Sequence, residues 1–191
     1  MRKHYLYRIK AVRMLDPIIK VENLTKNYGD FEAVKGLSFE VYPGEIFGLL
    51  GPNGAGKSTT LEIIETLRQK TSGKVIVNGF DIEKDADEIK KIIGVQLQTA
   101  GFYPGLNLVE LLDLFAGLYN EAIDPMAILD SVNLRDKAKA KFKELSGGQK
   151  QRFSIATTLI NKPKLIFLDE PTTGLDPQAR RNLWDLIRSI R

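Results

Sequence analysis

The stretch Glu45-Ile-Phe-Gly-Leu-Leu50 runs directly into Gly51-Pro-Asn-Gly-Ala-Gly-Lys-Ser-Thr59. The apolar run has the length of a buried parallel strand. The glycines after it let the backbone curl until several N–H groups point inward. A helix is expected from near Gly56, with Leu61, Ile64 and Leu67 on one side. A strand, a glycine-rich bend and a helix N-terminus in succession form a cradle for an anion.

The spacing is G-x-x-x-x-G-K-[ST] between a strand and a helix, the context that defines a P-loop. Gly51, Pro52, Asn53, Gly54, Ala55 and Gly56 form the expected nucleotide-holding loop. Lys57 is placed to reach the β- and γ-phosphates, Ser58 to offer its hydroxyl to Mg²⁺, and Thr59 to touch a phosphate. Much later comes Leu165-Ile-Phe-Leu-Asp-Glu170. Asp169 ends an apolar strand, where a carboxylate faces Mg²⁺ through water. Glu170 is the candidate to orient and deprotonate an attacking water. Without a P-loop, these two would read as a helix cap or a surface acid pair. Leu145-Ser-Gly-Gly-Gln149 is a second anion-binding helix start, with Ser146, Gly147, Gly148 and Gln149 as candidate contacts. Alone it would be an N-cap and a flexible turn. Beside a P-loop, it raises the question of why one ATP needs two helix ends.

This ordered set resembles the ATP-binding subunits of ATP-binding-cassette (ABC) transporters, over roughly residues 16–191. Gly51–Thr59 matches the family's Walker A motif, Leu145–Gln149 its signature, and Leu165–Glu170 its Walker B with the catalytic Glu. The resemblance implies an α/β P-loop NTPase: a mostly parallel sheet core, an antiparallel β subdomain and an inserted helical subdomain at about 99–162. It implies that two such domains pair head to tail, as homo- or heterodimer. The signature of one then caps the ATP held by the other. It also assigns roles to residues that say little alone. Gln98 matches the Q-loop glutamine that senses Mg²⁺ and the γ-phosphate, with Gln96 as its rival. Tyr28, otherwise a turn or core aromatic, matches the ring that stacks on adenine. Asp176, otherwise an N-cap, matches the D-loop that crosses the dimer interface. Gly94-Val-Gln-Leu-Gln98 followed by Pro104-Gly-Leu-Asn-Leu108 is similar to bacterial exporter subunits for drugs, lipids or polysaccharides.

The family places a switch histidine on a strand beyond Glu170. The single histidine here is His4, and the sequence given runs to Arg191. The expectation is a domain lacking its last strands, in which ATP binding survives better than turnover. The implied partners are a transmembrane permease and a second ABC domain, with the chain peripheral to the cytoplasmic face of the cell membrane.

Composition bears on the rival readings. The chain has 191 residues, enough for one domain with a sizeable core. No apolar run approaches the roughly 18 residues of a spanning helix, and the N-terminus shows no secretory pattern. With no cysteine, disulfides and thiolate metal sites are ruled out. Arg2, Lys3, Arg8, Lys10 and Arg13 precede the first acid, Asp16. The net +4 less these five charges leaves −1 for the rest. Residues 1–13 therefore read as a basic leader, disordered or non-native, ahead of an ABC domain at 14–191; a lipid-touching arm is the other reading. A body near neutrality disfavours nucleic acid, and with it a soluble ABC ATPase acting on ribosomes or DNA. An ATP-binding module without turnover is the third reading.

Further expectations are strands at Ile18–Val21, Leu37–Val41 and Ile92–Gln98, an edge strand at Lys74–Asn78, and a turn at Asn27–Asp30. Helices are expected through Leu108–Leu118, Pro125–Val132 and Gly147–Ile160, and after Asp176-Pro177 with Leu183, Leu186, Ile187 and Ile190 inward.

Overall fold

The computed structural model describes residues 5–8, 16–96 and 101–190. The chain divides into two compact units, Met1–Lys90 and Lys91–Arg191. Among the described residues no helix is long and apolar enough to cross a membrane.

The first unit is built on a hairpin of β2 (Ile19–Tyr28) and β3 (Phe31–Val41). Its connection falls inside the expected turn, with Gly29 at φ 56. Strand β5 (Ser72–Val77) pairs antiparallel with β2, and β6 (Phe80–Asp81) folds back onto β5. The sheet order is therefore β3-β2-β5-β6. The expected edge strand at Lys74–Asn78 is an inner strand instead. Asn78 and Gly79, at φ 49 and 85, make the two-residue turn that favours a hairpin. A two-residue β6 is too short to leave an alternating pattern in the sequence. Val21, Leu24, Val34, Val75 and Val77 are buried from this sheet.

Strand β1 (Tyr5–Arg8) pairs antiparallel with β4 (Phe47–Leu50), Tyr5 opposite Leu50 and Arg8 opposite Phe47. Two expectations change here. Part of the basic leader forms a strand, and the run before the P-loop is half-buried and antiparallel-paired, not a buried parallel strand. Periodicity cannot fix the pairing of so short an apolar run. Helix α1 (Lys57–Ile64) buries Ile63 and Ile64. It stops before Leu67, which is 59% exposed and not on the inward stripe. A short helix, α2 (Ala86–Ile92), was not anticipated; it buries Ile89.

In the second unit, β7 (Ile93–Gln96) runs parallel to β8 (Leu165–Leu168), with Gln96 opposite Leu168. The helices between them are α3 (Leu108–Tyr119), α4 (Pro125–Ser131) and α5 (Gly147–Thr158), and α6 (Pro177–Ile190) follows. Each start has a sequence reason. Asn107 and Glu110 form a capping box on α3, and Asp124 caps α4 ahead of Pro125. Leu108, Leu111, Leu112, Leu129, Phe153, Ile155, Leu183 and Leu186 share one core. Leu118 lies off it, 73% exposed. Rings of Phe102, Phe142 and Phe153 pack together, with Phe102 and Phe142 centroids 4.3 Å apart. Gly94 lets β7 approach α5 closely, because a Cβ there would lie 2.2 Å from the Thr158 carbonyl oxygen.

Candidate nucleotide site

In the first unit, the loop after β4 takes the form the sequence led us to expect. Gly54 and Gly56 have φ 75 and 82, conformations that side-chain-bearing residues rarely adopt. Gly56 is also the residue before α1, so the loop ends on a helix N-terminus. A Cβ on Gly56 would meet the Ala33 carbonyl oxygen at 2.3 Å. That close approach seats the loop against β3, two residues from Phe31, the partner of Tyr28 in the hairpin. The hairpin tip and the P-loop are thus held together. Lys57 Nζ donates to the carbonyl oxygens of Gly51 (3.0 Å) and Pro52 (3.1 Å), so its ammonium curls over the loop. Ser58 is exposed, while Thr60 is buried and back-bonds to the Gly56 carbonyl at 2.8 Å.

Tyr28 is 43% exposed and carries cations near its ring: Lys26 Nζ at 5.1 Å from the centroid and the Arg68 guanidinium at 5.6 Å. A hydrogen bond to Glu62, with Tyr28 a lesser contributor, holds the Arg68 guanidinium above its ordinary value. Sequence reasoning missed Lys26 and Arg68. Arg68 lies forty residues further along the chain, and only the fold brings it to the ring.

In the second unit, β8 delivers Asp169 and Glu170. The Asp169 N–H donates to the Gln96 carbonyl oxygen at 3.3 Å, which ties the end of β8 to β7. Glu170 then has φ 47, the left-handed region. For a residue with a side chain this costs roughly 1–2 kcal/mol. The chain reverses there, so two neighbouring carboxylates need not point to opposite faces as they would along a strand. Gln98 lies outside the described residues. Its rival Gln96 is 5% exposed, and its Nε2 donates to Gln151 Oε1 at 2.7 Å, on α5. Gln96 is thus committed to packing against α5.

The signature segment forms a capping box. The Ser146 Oγ accepts from the Gln149 N–H at 3.3 Å, and Gln149 Oε1 accepts from the Ser146 N–H at 2.9 Å. Asp176 caps α6: its Oδ1 accepts from the N–H groups of Ala179 and Gln178 at 3.0 and 2.9 Å. Those bonds, Ala179's first, hold its carboxyl below the ordinary carboxylate value. The two helix starts meet. Ser146, Gly147, Gly148, Gly174, Leu175 and Asp176 line one open cavity of about 350 Å³. Gly148 leaves only 3.4 Å between a would-be Cβ and Ala179 Cβ. Signature and D-loop residues, thirty positions apart, therefore share one surface.

Comparison with known proteins gives a family model described as ABC transporter, which matches residues 34–173. The chain is 40% identical over 178 residues to the linearmycin resistance ATP-binding protein LnrL of Bacillus subtilis, covering 91% of this chain and 57% of that one. It is 39% identical over 178 residues to the Nod factor export ATP-binding protein I of Cupriavidus metallidurans, covering 91% and 59% respectively. The chain thus spans less than two thirds of the length of these curated relatives. Among solved structures, an ATP-binding cassette of an ABC transporter superposes with a TM-score of 0.78 at 26% identity, covering 91% of this chain and 76% of that chain.

Proposed function

The chain belongs to the ABC transporter family of ATP-binding proteins, and from that premise we propose that it binds and hydrolyses ATP to power transport through a separate membrane permease. The observation that carries this is the cavity shared by Ser146, Gly147, Gly148 and Asp176. The P-loop is already one phosphate cradle. A second helix start, open to solvent and flanked by Asp176, suits the ATP of another copy, homologous or identical. ATP then joins two domains head to tail, and hydrolysis parts them.

In this reading, Tyr28 stacks on adenine. Gly51, Pro52, Asn53, Gly54, Ala55 and Gly56 wrap the phosphates, with Lys57 and Thr59 contacting them. The curled Lys57 fits such a role, because phosphate oxygens replace the two carbonyls that it now satisfies. Ser58, Asp169 and Gln98 would hold Mg²⁺, an oxygen-only set with one carboxylate, of the kind this ion takes alongside substrate phosphates. When bound, Mg²⁺ neutralises charge on the phosphates. Glu170 orients the attacking water and takes its proton. Ser146, Gly147, Gly148, Gln149 and Asp176 meet the ATP of the partner copy. The chain sits at the cytoplasmic face of the cell membrane, peripherally. The name of the Cupriavidus relative, a Nod factor export protein, favours export, with the cargo chosen by the permease.

The test is steady-state Mg-ATP hydrolysis by the chain and by Glu170→Gln, with ATP binding measured on both. The substitution is expected to preserve binding and cut turnover by about 10²–10⁴, the scale of a general base. An unchanged rate removes Glu170 from its role. Binding without turnover in the unsubstituted chain favours an ATP-binding module.

A further inference from the structure

The turn after the acidic pair restrains Glu170 twice. The Thr173 N–H donates to the Glu170 carbonyl oxygen at 3.1 Å, closing the main chain over Pro171 and Thr172. The Thr173 hydroxyl donates to Glu170 Oε2, also at 3.1 Å. The direction is set by chemistry, since an ionised carboxylate only accepts. The first bond fixes the backbone of a residue already in the left-handed region at φ 47. The second fixes something the backbone does not: the rotamer of the carboxylate.

We propose that Thr173 is a positioning residue for Glu170, its hydroxyl holding the carboxylate in the orientation that meets the attacking water. This rests on Glu170 acting as the base. The acid before it is held separately, Asp169 through its N–H on the Gln96 carbonyl. Glu170 is exposed and follows the end of β8. A hydroxyl suits the task. It donates one directional bond yet brings no cation to lower the basicity of the carboxylate that must accept the proton. Thr173 also directly precedes Gly174, Leu175 and Asp176, which line the cavity with Ser146. A partner copy seated on that surface would bear on the residue that aims the base.

The experiment uses the full chain with Thr173→Val, which keeps the shape and loses the donor, and Thr173→Ser, which keeps the donor. Each is measured alone and in a Glu170→Gln background, for kcat, KM and ATP affinity. Thr173→Val is expected to lower kcat by about 10- to 100-fold with KM and affinity unchanged, up to the scale of a misplaced catalytic group. Thr173→Ser stays within about twofold of the parent. In the Glu170→Gln background the Val substitution has no further effect. A rate loss of equal size in that background, a parallel rise in KM, or Ser as slow as Val overturns the proposal. Glu170→Gln with full turnover overturns the reading of the base itself, a separate outcome. Three-bond couplings of the labelled Glu170 side chain give a readout independent of turnover. One rotamer in the parent and in Thr173→Ser, averaged in Thr173→Val, is expected. A single rotamer that persists in Thr173→Val overturns the proposal.

Discussion

Thr66 carries a conformational cost that its neighbours explain. Helix α1 ends at Ile64, and Thr66 follows in the left-handed region at φ 64. Its N–H donates to the Ile63 carbonyl at 3.1 Å, while the Leu67 N–H donates to that of Glu62 at 2.8 Å. Paired bonds of this kind close a helix in the motif that usually places glycine at the left-handed position. A β-branched residue there is strained. The Thr66 hydroxyl is also buried, with no hydrogen-bond partner among the described residues. Thr66→Gly is expected to stabilise the protein by about 1 kcal/mol, the strain and the lost hydroxyl outweighing glycine's extra chain entropy. Urea unfolding of both chains checks this; an unchanged or lower midpoint refutes it. The sequence does not reveal such a position, because threonine is an ordinary residue in any local pattern. The Gly56 turn was legible for the opposite reason: its residue type, spacing and neighbours all demanded it.

At the scale of elements, legibility followed pattern length. Helix α3 was readable from helical spacing over several turns, α4 from Pro125 at its start, and α5 from the Ser146 cap. Strand β6 is too short for a period to repeat, and helix α2, as short as α4, has no proline at its start to mark it. The start of α6 was readable from Asp176 and Pro177 alone. Its cap has a pH consequence. The folded carboxyl sits below its ordinary value because it accepts backbone N–H bonds from Ala179 and Gln178. A lowered folded pKa means the ionised cap stabilises the fold fully above the unfolded value of about 3.9. That contribution is lost as pH falls through the lower folded value. Asp176→Ala is therefore expected to reduce the melting temperature at neutral pH. The gap between the two chains should narrow as the pH drops below about 4. Melting curves at several pH values test it, and a gap independent of pH points to packing instead of the cap.

At the scale of the whole molecule, the proposed pairing makes each copy a supplier of groups to the other's ATP. The family motifs were legible in the sequence as separate words. What needed the fold was that Ser146 and Asp176 line the same cavity, so a partner's phosphates would meet a surface and not an isolated helix end. In the proposed pairing, serine at the start of α5 has two jobs, and they can be separated. Its Oγ caps the helix through the Gln149 N–H. Aspartate caps a helix as well as serine does, so Ser146→Asp keeps α5 intact. Its carboxylate, however, would face the triphosphate of the opposing copy, and like charges brought together in a closing interface cost several kcal/mol. The expected outcome is a folded protein that binds ATP as the parent does but no longer dimerises when ATP is added. Light scattering with and without ATP, in the Glu170→Gln background that is expected to retain the nucleotide, would show it. If Ser146→Asp dimerises normally, the α5 start is not where the second copy's phosphates sit. If it loses ATP binding in the monomer, Ser146 contributes to the site of its own copy, and the head-to-tail arrangement fails with it.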